Sequence, residues 1–311
     1  MNPYSDQIIK KRIQTKNKIR IINTYISDDC ELRSKHSKIH SFINEFFEPS
    51  VFSKAYLKNT SIYSNAEAHL YNDYFIMLDV KNFFNSISHN VLKAKLYKEL
   101  NKNEPNCINK SECNKIVEIC SVAERGIPLG FITSPVLSNI YLREFDNIIY
   151  GKIRAIDELK NKRVIYTRYA DDLFISFKWN SKEKATVIEE KIIDIIKNQL
   201  KRVFLRLNDK KTRSYNLNIS NHVKITGVNI SKDSDNNRTL TVGRKTKNDL
   251  FWDALKAYET HDSILINKVK GMQSFILSIE KSTYDNTYSS RMNKIINDIG
   301  FSTLKELIDS L

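Results

Sequence analysis

The fold turns on residues 163–177, Arg163-Val164-Ile165-Tyr166-Thr167-Arg168-Tyr169-Ala170-Asp171-Asp172-Leu173-Phe174-Ile175-Ser176-Phe177. Two β-rich runs flank Tyr169-Ala170-Asp171-Asp172, which reads as a hairpin with two adjacent carboxylates at its tip. An Asp pair alone can be a turn device, because Asp tolerates left-handed φ and bonds its own backbone. The apolar flanks favour a buried strand pair instead. Adjacent ionised carboxylates repel, and a hard cation between them relieves that cost. A third acid, Asp79, ends the apolar run Phe75-Ile76-Met77-Leu78; alone it could be a strand end or a helix N-cap. Three such acids suit two metal ions about 4 Å apart that clamp the attacking and leaving oxygens of an in-line phosphoryl displacement.

Working outward, further blocks stand in a fixed order. Asp79-Val80-Lys81-Asn82-Phe83-Phe84 sets an acid before an aromatic pair. Gly126-Ile127-Pro128-Leu129-Gly130-Phe131-Ile132-Thr133-Ser134-Pro135 follows, then the Tyr169–Asp172 block, then Leu207-Asn208-Asp209-Lys210-Lys211-Thr212. In identity, order and spacing these four blocks resemble those of reverse transcriptases, over about residues 18–295. Asn65-Ala66-Glu67-Ala68-His69, the triplet Ile225-Thr226-Gly227 and the length of 311 residues resemble the retron-type members in particular. Read without the resemblance, His69 is a hydrogen-bonded core histidine and Thr226-Gly227 an ordinary strand turn.

The resemblance implies an α+β, right-hand polymerase. Its fingers would be 1–78, its palm 79–242 with interleaved fingers segments and an antiparallel sheet, and its helical thumb 243–311. It implies an RNA-directed DNA polymerase with two Mg2+ ions on Asp79, Asp171, Asp172 and the Val80 carbonyl. Lys18, Arg20 and Lys211 would meet the nucleotide's phosphates. Phe84 would be the steric gate against a ribose 2′-hydroxyl, leaving Phe83 as core. Gly130 would let the backbone approach the nucleotide, since it has no Cβ. Tyr169 and Pro128 would lie near primer and template, and Asn65, His69, Thr226 and Gly227 would recognise RNA. The family often has Gln where this chain has Leu129, which removes one side-chain hydrogen bond.

The resemblance also implies partners. These are deoxynucleotides, a cognate structured noncoding RNA and its cDNA, an effector protein acting against phage, and a host ribonuclease H. Retron enzymes prime from a guanosine 2′-hydroxyl and make branched RNA–DNA, the multicopy single-stranded DNA. Two other readings share the acids. One is another small bacterial defence or diversity-generating reverse transcriptase; the other is a noncatalytic RNA-binding scaffold.

Composition agrees with a nucleic-acid partner. The formal net charge is +14, and residues 151–240 hold 20 basic against 11 acidic residues. Such a block suits a phosphate-tracking surface. No apolar run reaches the ~20 residues of a membrane span, and the N-terminal residues lack a secretory pattern. Cys30, Cys107, Cys113 and Cys120 form no Cys-x-x-Cys pattern, and a reducing cytoplasm is the expected compartment. His36 and His40 share a helix spacing but have no nearby acid to complete a metal site.

Local patterns predict a short helix and then a strand over 8–22. Helices are predicted over 32–47, 88–100, 135–149 and 182–203, and from 245 onward. A strand is predicted over 223–230, joined by a loop at 231–238 to a second strand at 239–242.

Overall fold

Ile8–Thr15 (β1) and Lys18–Tyr25 (β2) form an antiparallel hairpin, so the helix predicted at the start of this region is a strand. Cross-strand pairing decides the matter: the basic run Lys10-Lys11-Arg12 lies opposite Asn23, Ile22 and Ile21, with no like charges facing. The structure, a computed structural model, describes residues 2–15, 18–280 and 288–311. The side chains of Thr15 and Lys18 lie outside the described part.

The chain continues through Glu31–Phe46 (α1), Ile62–Ala68 (α2), Tyr74–Asp79 (β3), Phe83–Ser86 (α3), His89–Leu100 (α4) and Lys110–Ile119 (α5). Ser134–Arg154 (α6), Val164–Tyr169 (β4), Asp172–Phe177 (β5), Thr186–Arg202 (α7) and Arg213–Asn216 (β6) follow. The last elements are His222–Ile225 (β7), Val228–Lys232 (β8), Arg238–Thr241 (β9), Arg244–Thr260 (α8), Ser263–Ile279 (α9), Ser290–Asp298 (α10) and Leu304–Ser310 (α11). The helices predicted over 32–47 and 88–100 are α1 and α4, the latter with Ser88 as its N-cap residue. α6 outruns its prediction, because Ile153, one turn past Ile149, keeps the apolar face going.

Compactness divides the chain into two units. One is 1–60 with 72–216, and the other is 61–71 with 217–311. The expected boundaries at 78/79 and 242/243 follow a different criterion, since they divide the chain by blocks of sequence.

In the first unit, four strands pair antiparallel in the order β4-β5-β3-β6. One continuous apolar core joins Ile76 and Leu78 of β3, Leu173 and Ile175 of β5, Ile140 and Ile149 of α6, and Ile192 and Ile196 of α7. A smaller cluster holds Tyr25, Leu32 and Phe131. Here the Tyr25 hydroxyl accepts from the Ile132 amide at 3.1 Å and lies 2.8 Å from His36 Nδ1. His36 Nε2 meets the Ile119 carbonyl at 3.1 Å. Nε2 therefore carries the proton and Nδ1 accepts from Tyr25, so His36 is a satisfied core histidine.

In the second unit β7, β8 and β9 form an antiparallel sheet followed by helices. The strand predicted over 223–230 is two strands, folded back at Thr226-Gly227. Both turn residues have positive φ, +46° and +94°, the geometry that matches the twist of a tight hairpin. Among the described residues no helix is long and apolar enough to cross a membrane.

Candidate active site

Strand register assembles the acids. Asp79 is the last residue of β3 and lies opposite Asp172, the first residue of β5. Tyr169 pairs with Asp172 across the other side of β5, leaving Ala170 and Asp171 as a two-residue turn. Ala170 takes φ +56° there. The Asp171 carbonyl accepts from the Val80 amide at 3.0 Å, which ties the turn to the neighbouring strand. Residues some ninety positions apart in sequence therefore meet at one end of the sheet.

Asp79 is buried, and both its carboxylate oxygens are engaged. Oδ2 accepts from Asn208 Nδ2 at 2.9 Å, and Oδ1 faces the Lys211 ammonium. A bridge between Val80 and Leu207 and a 2.8 Å bond from the Asn208 amide to the Asp79 carbonyl hold that block in place. Burial, and then the charges of Asp171 and Asp79, push the Asp172 carboxyl up to about 6, with Lys211 opposing. The Asp171 carboxyl is also raised, chiefly by burial and then by Asp79, while Lys211 and Arg20 draw it down. Contact with Asp79 raises the Lys211 ammonium in turn.

Among the described residues no three or more His, Cys, Asp or Glu side chains are already gathered closely enough to hold a metal. Asp79 faces Lys211 and Asn208 instead. The donor chemistry nonetheless fits a hard cation. Three carboxylates stand together at this site, and two of them are raised, first by burial and then by the charge of neighbouring acids, Asp79 on Asp171 and Asp171 with Asp79 on Asp172. A divalent ion relieves that field and takes oxygen ligands, so it would compete with Lys211 for Asp79.

Arg168 was not legible as a site residue, yet it underpins the turn. It is fully buried. Nε and Nη2 grip the Asp146 carboxylate of α6 at 2.9 and 2.8 Å. Nη1 donates to Asn139 Oδ1 at 3.1 Å and reaches the Ala170 carbonyl at 3.4 Å. Tyr166 donates its hydroxyl to the same Asp146 at 2.8 Å. The Arg168 main chain is pinned as well, its amide to Phe52 at 2.8 Å and its carbonyl to Lys54 at 2.7 Å. The available signal was an Asp on the apolar face of α6, between Phe145 and Ile149.

The expected nucleotide-side residues occupy the same unit. Arg20 of β2 is near enough to draw down the Asp171 carboxyl. The Lys18 side chain lies outside the described residues. Phe83 is buried, whereas Phe84 is only partly buried, with the two rings edge to face at 5.2 Å. The Leu129 carbonyl accepts from the Asn23 amide of β2 at 3.0 Å. Next to it Gly130 has φ +106°, and a Cβ there would stand 2.3 Å from the Asn23 carbonyl oxygen. Glycine is thus required by packing against β2, whatever else approaches it. Pro128 is buried and its carbonyl accepts from Ser134 Oγ at 2.7 Å, so its ring is turned into the fold.

The four residues expected to recognise RNA gather in the second unit. Asn65 in the middle of α2 and His69, its C-cap residue, are fully buried. Asn65 Nδ2 donates to Thr226 Oγ1 at 3.3 Å. Both side chains are turned into the fold, so any part they have in RNA recognition would run through what they support. The Asn65–Thr226 bond ties α2 to the β7–β8 hairpin, whose Thr226 and Gly227 are half-exposed at the tip.

Comparison with known proteins shows the family. The family description Reverse transcriptase (RNA-dependent DNA polymerase) matches residues 8–230. The Retron Ec73 reverse transcriptase of Escherichia coli is 30% identical over 197 residues, 59% of this chain and 59% of that protein. The Retron Ec83 reverse transcriptase of Escherichia coli is 26% identical over 291 residues, 90% of this chain and 80% of that protein. A solved structure of telomerase from Candida albicans, in complex with a TWJ fragment of telomeric RNA, superposes with a TM-score of 0.51 at 13% identity. That superposition covers 97% of this chain and 60% of the telomerase chain, and it speaks to the fold alone.

Proposed function

The chain is a retron-type member of the reverse transcriptase family, and from that premise we propose that it copies RNA into DNA at the Asp79, Asp171 and Asp172 site. The observation that carries the proposal is the register that sets Asp79 against Asp172 beside the Asp171 turn, under Lys211. Asp79 and Asp171 would hold two Mg2+ ions, with Asp172 assisting and the Val80 carbonyl as a further ligand. When bound, the ions supply charge neutralisation for the attacking 3′-hydroxyl and the departing pyrophosphate. Arg20, with Lys18, steadies the triphosphate. Lys211, once released from Asp79, would deliver a proton to the leaving group or neutralise its charge. Phe84 fills the space that a ribose 2′-hydroxyl requires, and Tyr169 flanks the primer end.

The retron relatives suggest the substrate. In this reading a structured noncoding RNA serves as template. One of its guanosine 2′-hydroxyls serves as the first primer, and the product is branched RNA–DNA. A host ribonuclease H would trim the template, and an effector protein would couple the complex to phage defence. The β7–β8 hairpin tip, rather than Asn65 or His69, would face that RNA.

The test is twofold. Purified protein should extend a primer on an RNA template with deoxynucleotides and magnesium, and absence of extension would refute the polymerase. Nucleic acid copurifying with the protein should contain DNA joined to RNA through a 2′-linkage, released by a debranching enzyme. Only linear, unlinked cDNA would refute the branch priming.

A further inference from the structure

One cavity beside the acids is not used by this chemistry. It measures about 810 Å3 and is bounded by Lys81, Asn85, Arg125, Lys201, Phe204 and Arg206. Lys81 stands two residues beyond Asp79, and its amide bonds the Arg206 carbonyl at 2.8 Å. Four of its lining residues are cations, and no acid lines it. Among the described residues Lys81, Lys201 and Arg206 have no acidic partner. Lys197, one turn before Lys201, does pair with Asp209 at 2.8 Å. Arg125 fixes the walls by donating to the Ser86 carbonyl at 2.8 Å and the Phe204 carbonyl at 2.9 Å.

Phe204 is the decisive residue. The end of α7 closes in a Schellman turn, with Leu205 N bonded to Leu200 O at 2.9 Å and Phe204 N to Lys201 O at 3.1 Å. The residue that must turn left-handed there is normally glycine or asparagine. Here it is a phenylalanine with φ +56° and 60% of its surface exposed. A bulky side chain is strained in that region, and an exposed ring adds no core packing. The turn needs neither feature. What the phenylalanine supplies is a flat apolar face at the mouth of a cationic pocket.

We propose that this cavity binds one unit of a single-stranded nucleic acid, the base stacking on Phe204 and the phosphate held by Lys81, Lys201 and Arg206. A cationic groove with an aromatic platform is the chemistry of sequence-tolerant single-strand binding. Lys81 lies two residues from Asp79, so a strand held here would lie near the reaction centre. The inference rests on the polymerase reading for the identity of its partner.

Binding of a fluorescent, unstructured oligoribonucleotide is measured without magnesium or deoxynucleotides across a salt series. Phe204→Ala should weaken binding roughly 5- to 100-fold, the range for loss of one stacked base. Lys201→Gln with Arg206→Gln should lower the log–log salt slope by about 1.4, the value for two single-strand phosphates. Phe204→Gly should raise the melting temperature while weakening binding, because it removes strain and stacking together. Unchanged affinity and slope in these variants would overturn the proposal. So would a lower melting temperature for Phe204→Gly, which would make the ring a packing element. Phe204-dependent binding of free deoxynucleoside triphosphate, with none of the oligomer, would also overturn it. Primer extension by the wild-type preparation separates this outcome from failure of the polymerase reading.

Discussion

Lys211 and Asn208 hold both oxygens of Asp79, while Asp171 and Asp172 lie half-buried, raised by that burial and then by neighbouring acids. Each of the three acids alone also fits a turn, a strand end or a helix cap; what made them stand out was their place beside apolar runs, in blocks that keep their order. Arg168 was not legible, because its partner Asp146 is 22 residues away on another element. Arg168→Met should strand a buried carboxylate and destabilise the protein by about 3–5 kcal/mol in denaturant unfolding. Adding Asp146→Leu should recover most of that stability, since a buried ion pair is replaceable by apolar packing. Synthesis should stay low in the double variant, because the Ala170 carbonyl has lost its brace; recovery of both properties would reduce Arg168 to a core residue. At the sugar, Phe84→Val should raise relative ribonucleotide incorporation about 10- to 100-fold, the scale of one removed steric contact. Single-nucleotide kinetics with matched nucleotides measure this, and an unchanged ratio in an active variant would place the gate elsewhere.

Among the elements, amphipathic helices such as α1, α4 and α7 were readable from their periodicity. The N-terminal hairpin was not, because isoleucines bracketing a basic run fit either period until the partner strand is known. The 223–230 segment misled for the opposite reason. Its apolar residues continue through the turn, and Thr is an unusual occupant of φ +46°. Gly130→Ala should damage the packing of its loop on β2. The left-handed backbone alone costs about 1–3 kcal/mol, and the Asn23 carbonyl blocks the methyl group. A loss of synthesis with reduced melting temperature is expected; a neutral outcome would contradict that packing. Asn65→Ala removes the amide that holds Thr226 Oγ1. It should destabilise by about 0.5–1.5 kcal/mol, the net contribution of one hydrogen bond, because Thr226 is half-exposed. Because Asn65 acts inside the fold, synthesis on cognate and generic RNA should fall together. Selective loss on the cognate RNA alone would restore a recognition role.

For the whole molecule, charge and chemistry coincide on one reading. The basic excess of residues 151–240 surrounds the segment that carries Asp171 and Asp172. RNA binding should weaken roughly a hundredfold or more on raising salt from low to physiological levels, if about six phosphates are contacted. An affinity insensitive to salt would separate the charge from the function. The overall architecture was legible because four blocks keep their order along the chain. Its division into packed units was not, because α2 joins a sheet more than 150 residues downstream by contacts that no local pattern encodes. The claim on which everything else rests is that three carboxylates perform the chemistry. Asp171→Asn with Asp172→Asn nearly preserves volume and removes the charge that would hold the ions. The decisive measurement is single-nucleotide extension of a primed RNA template in magnesium, beside RNA binding by the same preparations. Extension should fall to background in the double variant while RNA affinity stays near that of the wild type; extension at the wild-type rate would contradict the assignment of the site.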